Sequence, residues 1–414
     1  MFSKHSLLAG GLAAIALLLP MTSQAQDSET YRQEKVTGNL VAPARRDFSE
    51  TLMKQLKLPA GFEVNVFAKD LDNARMMAVA PDGTIYLSRQ KQNDVLALKD
   101  TDKDGRADQM RKVASNLEQV HGVALHQNRL YLAAPTKVWV AEVQAGGTLA
   151  TPKLLISDLP DGGQHRGRNI AIGPDQKLYV AVGSTCNACD EANKESATVL
   201  RFNLDGTNRQ TYAKGLRHTI GFGWHPVTGD LWGMDMGTDW RGDDIPPEEL
   251  NRITEGSNYG WPYCFANRQI DPYVPGGPEG MPVEQYCAAT VPPVLTYQAH
   301  NAPIGKVFYN AAQFPAEYRG DAFVALRGSW NRSPASGYKV VRVRFEKGQP
   351  VGFEDFLSGF LLEGGKAHFG RLAGVAVAGD GALLVSDDSN GVIYRVSYKV
   401  PTKSAGKNVG VTLR

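Results

Sequence analysis

The chain has 414 residues, with 45 Lys and Arg against 43 Asp and Glu and a formal net charge of +2. That balance supplies no electrostatic basis for binding nucleic acid or an anionic membrane surface. The 42% apolar content is ordinary for a folded protein, and 43 Gly with 23 Pro suit many short strands and tight turns better than long helices.

The first predicted element is a leader. Lys4 precedes an apolar run from Leu7 to Pro20, and Ser23 and Ala25 supply small residues before a cleavage point. The run is shorter than the roughly 20 residues of a bilayer span, so residues 1–25 read as a secretory signal peptide, with an uncleaved anchor as the alternative. No other segment reads as a membrane span. Residues 26–58 read as a polar, weakly structured lead-in, 59–400 as one domain and 401–414 as a tail.

A repeated unit follows. Copies start at Ala74, Val120, Arg168, His218, Ala302 and Leu372. Each has an apolar strand, a turn rich in Gly and Asp, a second apolar strand, a variable insert and a third strand. The turn residues tolerate positive φ, and the flanking runs alternate with period two. Six such units predict an all-β fold, a six-bladed β-propeller, which leaves no long exposed sheet edge. The early strand GFEVNVFAKDL, Gly61 to Leu71, is expected to complete the last blade.

Four cysteines lie in this domain: Cys186, Cys189, Cys264 and Cys287. In an exported chain they suggest two disulfides, and pairing of sequence neighbours is the simplest of three connectivities. Asp190 follows the CxxC where a c-type haem site needs His. No second ligand pair marks a zinc site.

The residues just before each first strand are expected to face a central funnel. They are Arg75, His121, His165 with Arg168, Arg217 with His218, His300 with Asn301, and Arg371. Converging cations need an anionic partner or must stay wet, because buried like charges are costly. Oxygen-rich residues follow in DMGTDWRGDDIPPEELN, Asp235 to Asn251, and their hard ligands suit Ca²⁺. A second acidic run places Asp100, Asp102, Asp104 and Asp108 like the start of a calcium loop. Arg111 stands where that loop expects Glu, so an Asp/Gly hairpin is an equal reading.

Taken together, CNACDE, GDDIPPEELN, SNYGWPYC, RGSWNR and the His165 segment resemble the soluble sugar dehydrogenases that carry pyrroloquinoline quinone (PQQ), nearest the sorbosone branch. The most specific piece is His165, eight residues before Gly173 of the GPD turn. The resemblance implies that His165 is the general base in hydride transfer from a sugar to PQQ. It implies that Arg217, His218, Arg327 and Arg371 contact PQQ, and that Gly237 and Thr238, with Asp239 beside them, hold Ca²⁺. The chain departs from the family at Ala373, where a second arginine is expected, and at Ser184, where an acid would orient the histidine. Asp190 or Glu191 could replace that acid. Electrons would leave to a separate acceptor, a cytochrome or small carrier. Two other readings stand beside this one: a calcium-dependent lactonase on the same fold, and a non-catalytic propeller that binds carbohydrate or protein.

Overall fold

The computed structural model describes residues 38–274 and 276–399; the expected leader and tail lie outside the described residues. Strands dominate, and helix is confined to short turns such as Glu50–Met53 and Val283–Ala288. Among the described residues no helix is long and apolar enough to cross a membrane.

Among the described residues most strands form six four-stranded antiparallel sheets, numbered here 1 to 6 in chain order, beside one three-stranded and one two-stranded sheet. Their first strands are Ala74–Val79, Gly122–His126, Asn169–Ile172, Gly221–Trp224, Pro303–Phe308 and Leu372–Val377. Each neighbours the first strand of the next sheet, and Leu372–Val377 neighbours Ala74–Val79, so the array is cyclic. Its fourth strand in sheet 6 comes from the start of the domain: Phe62–Ala68 pairs antiparallel with Val392–Tyr398, as the sequence led one to expect.

Small residues let the first strands crowd together. A Cβ on Gly305 would sit 2.3 Å from the Ala373 carbonyl oxygen, and one on Gly374 would sit 2.3 Å from that of Arg75. Side chains then staple one sheet to the next. Ser88 Oγ donates to the His121 carbonyl at 2.6 Å, and Asn169 Nδ2 donates to that of Ile220 at 2.7 Å. Farther out, apolar side chains fill the wedge between sheets. In the wedge of sheets 5 and 6, Tyr309, Phe314, Phe323, Phe356, Phe360 and Phe369 form one buried cluster. Removing side chains of this size from water stabilises the fold by about 1.5–3 kcal/mol each.

Residues 38–58 are more ordered than their polar composition suggests. Ala44–Arg45 pairs in parallel with Ala367–His368, the Val41 N–H donates to the Trp330 carbonyl, and Lys57 bridges Ser358. These contacts use backbone groups, which leave no hydrophobic pattern to read. Disulfides join Cys186 to Cys189 and Cys264 to Cys287.

Candidate functional site

The starts of the first strands meet at one end of the ring, around a cavity of about 530 Å³. Of the residues expected there, Arg75, His165, Arg217, His218, Arg327 and Arg371 line it, and so do Gly237, Asp239 and His300. His121, Arg168 and Thr238 do not. Arg168 is fully buried and spends its guanidinium on three carbonyls, those of Pro135, Pro160 and His165 at 2.7–3.1 Å. His121 is also fully buried; it accepts from Arg75 Nη2 at 2.8 Å and donates through Nδ1 to the Arg168 carbonyl at 2.9 Å. Thr238 faces a small cavity behind the turn, shared with Asp235, Gly237 and Glu249.

His165 stands on the cavity wall, ring to ring with His218 at 4.8 Å. Its Nδ1 lies 2.8 Å from Ser184 Oγ and 3.0 Å from the Ser184 carbonyl. Ser184 Oγ gives its own proton to the Cys186 carbonyl at 2.7 Å, so it accepts from Nδ1–H. That fixes the tautomer and leaves the lone pair on Nε2. Neither residue expected to replace the orienting acid does so. Glu191 accepts from Thr185 N and Oγ1, and Asp190 is exposed and paired with Lys194. Burial, then the charge of Arg217, pushes the His165 imidazole down to about 3, so the ring is neutral near pH 7. His218 is driven well below its ordinary value, first by burial and then by His165.

Among the described residues five arginines line the cavity (Arg75, Arg166, Arg217, Arg327 and Arg371) against two carboxylates, Asp239 and Glu248. Three of the arginines crowd one buried acid. Asp388 is paired with Arg75 and accepts from Arg327 Nε and Nη2 at 3.0 and 3.1 Å. Burial lowers Arg371, and Arg327 beside it lowers it further. The Nε atoms of Arg75 and Arg371 are buried with no acceptor among the described residues. A cation excess with unfilled donors fits a ligand carrying several carboxylates.

The oxygen ligands gather on sheet 4. Gly237 and Asp239 follow its second strand, Leu231–Asp235, and Glu248 opens its third, Glu248–Arg252. Glu248 is buried and accepts from the N–H groups of Gly237 and Ala302 at 3.1 and 2.9 Å. Burial raises it to about 8. Asp239 accepts from Arg217 Nη2 at 2.9 Å and from Asn331 Nδ2 at 2.8 Å. Oxygen donors of this kind fit a hard cation such as Ca²⁺. The second acidic run lies in the hairpin after the third strand of sheet 1, Asp94–Lys99, which runs away from the cavity end. It brings Asp100, Asp102 and Asp108 together without Asp104, and Asp108 Oδ2 accepts from the Thr101 and Asp102 N–H groups.

Sequence reasoning missed Asp388, and it named the Asp235–Asn251 run without singling out Glu248. Asp388 sits at a strand end in SDDSNG, which reads equally well as solvated hairpin charge.

The match to the TrAA12-like family model runs over residues 56–399. The chain belongs to the TrAA12-like family. This bears out the resemblance to soluble quinoprotein sugar dehydrogenases at the level of family. An uncharacterized protein of Borreliella burgdorferi is 29% identical over 368 residues, 85% of this chain and 93% of its own. Among solved structures, the holo form of the pyranose dehydrogenase PQQ domain from Coprinopsis cinerea superposes with a TM-score of 0.70 at 19% identity, covering 83% of this chain and 97% of that one. The calcium structure of the Trichoderma reesei family AA12 protein gives 0.71 at 18% identity, with coverage of 83% and 97%. At these identities the two structures testify to the shared fold of the TrAA12-like chain.

Proposed function

We propose that this TrAA12-like protein is an exported, periplasmic dehydrogenase that oxidises an aldose or related aldehyde sugar, using PQQ and Ca²⁺ on a six-bladed propeller. Its motifs resemble the sorbosone type most. The observation that carries the reading is a cavity lined by five arginines and a neutral, oriented histidine. The cyclic set of six sheets supports the propeller, and the PQQ and calcium named for the two solved relatives support the cofactors.

PQQ, when bound, supplies the two-electron acceptor that takes hydride from the sugar carbon. Arg75, Arg217, Arg327 and Arg371 would hold its carboxylates, and the oxygens of Gly237, Asp239 and Glu248 would hold Ca²⁺. His165 does the proton chemistry. Its Nε2 lone pair takes the hydroxyl proton from the sugar as the C–H bond breaks. Ser184 fixes the ring by accepting from Nδ1–H, in place of the acid that the resemblance leads one to expect. His121 and Arg168 act one layer back. The first holds Arg75, and the second ties down the His165 carbonyl.

The lactonase reading fares worse. It needs side-chain oxygens converging from several sheets, whereas both cavity acids belong to sheet 4. The sequence has no c-type haem motif, so a separate cytochrome or small carrier would take the electrons. The test is turnover of an aldose panel with PQQ, Ca²⁺ and a redox dye, for the wild type and His165→Ala. The reading expects dye reduction that the variant loses; a variant as fast as wild type removes His165 as the base.

A further inference from the structure

Between the cysteines of the shorter disulfide stands Asn187, to which the sequence assigned no role. The loop that carries it is anchored from below. Cys186 is bonded to Cys189, and Ala188 packs, buried, with Tyr263, Val274 and the second disulfide. From above, Asn187 meets two parts of the site at once. Its carbonyl accepts from Arg217 Nε at 2.9 Å, and its Oδ1 accepts from Arg217 Nη2 at 2.8 Å. The same Oδ1 accepts from the Asp239 N–H at 2.8 Å, while Nδ2 donates to the Asp239 carbonyl at 3.0 Å. The side-chain amide thus pairs with both backbone groups of Asp239, as a neighbouring strand would. The amide offers the donor and the acceptor side by side on one planar group; ionised Asp has no donor and Ala has neither.

We propose that Asn187 is a positioning residue that sets Arg217 and the Gly237–Asp239 turn in one fixed geometry, with the Cys186–Cys189 disulfide as its brace. The proposal rests on reading the cavity as the site of an anionic cofactor and a cation. Nε and Nη2 of Arg217 are committed to Asn187 and Asp239, and its Nη1 pair has no acceptor among the described residues. A guanidinium held along one edge is preorganised for the ligand on the other, so less side-chain entropy is lost on binding. The same clamp fixes the turn that carries the oxygen ligands. A CxxC in an exported chain then has a structural task that needs no redox turnover.

The test is a double-mutant cycle on the whole protein with Asn187→Ala, Arg217→Met and the pair, read as the Kd for PQQ by fluorescence titration, with Tm as the folding control. Asn187→Ala should raise Kd about tenfold or more in the wild-type background, while Tm moves by a few degrees. Measured in calcium-free buffer, where the turn's oxygen ligands hold no cation, it should raise Kd by less than about threefold in the Arg217→Met background, because its effect on PQQ then passes through Arg217. Equal effects in both backgrounds, or no effect in either, overturn the proposal. Should the wild type fail to bind PQQ, the functional reading falls separately, and a crystal structure of Asn187→Ala decides this one. Displacement of Arg217 and Asp239 supports the clamp; both unmoved overturns it.

Discussion

A free imidazole titrates near 6.5, yet burial and the Arg217 charge push His165 down to about 3. In the cofactor-free protein its ring should therefore stay neutral in an NMR titration from pH 8 to about pH 4, and a midpoint near 6.5 would contradict the site geometry. Because the unfolded chain binds that proton near 6.5 and the folded one only near 3, this histidine destabilises the fold as pH falls through that window. His165→Ala should cut turnover by about 10²–10⁴-fold, the usual worth of a positioned base, and leave PQQ binding largely intact. His165 and Arg217 were legible because each stands at a fixed offset before a first strand. His121 and Arg168 instead stand immediately before their first strands, and their side chains turn inward to carbonyls. In extended chain one residue of slip reverses the face, and the sequence does not fix that slip in a loop.

At the scale of elements, the second and third strands of sheet 4 set Asp235 directly opposite Glu249, both buried. Burial, then Asp235, raises Glu249 to about 8, and burial raises Glu248 to about the same value. The unfolded chain releases these protons near 4.5, so the folded state binds more protons between about 4.5 and 8. Stability in calcium-free buffer should then fall as pH rises across that window. Glu249→Gln should flatten the fall and raise Tm at pH 8 by several degrees; an unchanged pH profile would contradict the assigned burial. Arg168→Met should cost about 2–4 kcal/mol, since three buried carbonyls lose their donor, measurable by denaturant melts. The six repeats were legible because strand period and Gly/Asp turns are local signals. The order in residues 38–58 was not, since it is held by backbone pairing to distant strands and by Phe48, Leu52, Met53, Leu56 and Leu58, whose packing follows no strand period.

For the whole molecule, the cyclic array is closed by a strand from the start of the domain. Phe62 on that strand meets Phe314, Tyr318, Phe356 and Tyr398 at ring-centroid distances of 4.8–5.1 Å. Phe62→Ala should lower stability by about 3 kcal/mol, seen as a lower Tm; a Tm within a degree of wild type would mean that the closing strand contributes little. Closure also brings Arg75 of sheet 1 against Asp388 of sheet 6, so the site is complete only when the ring is. The proposed function requires that this cavity hold PQQ with a divalent cation. The most direct measurement is a titration of purified apo-protein with PQQ, with and without Ca²⁺, followed by absorbance. The account predicts saturable one-to-one binding at micromolar PQQ or below that tightens with Ca²⁺. No binding at micromolar PQQ in either condition would contradict it.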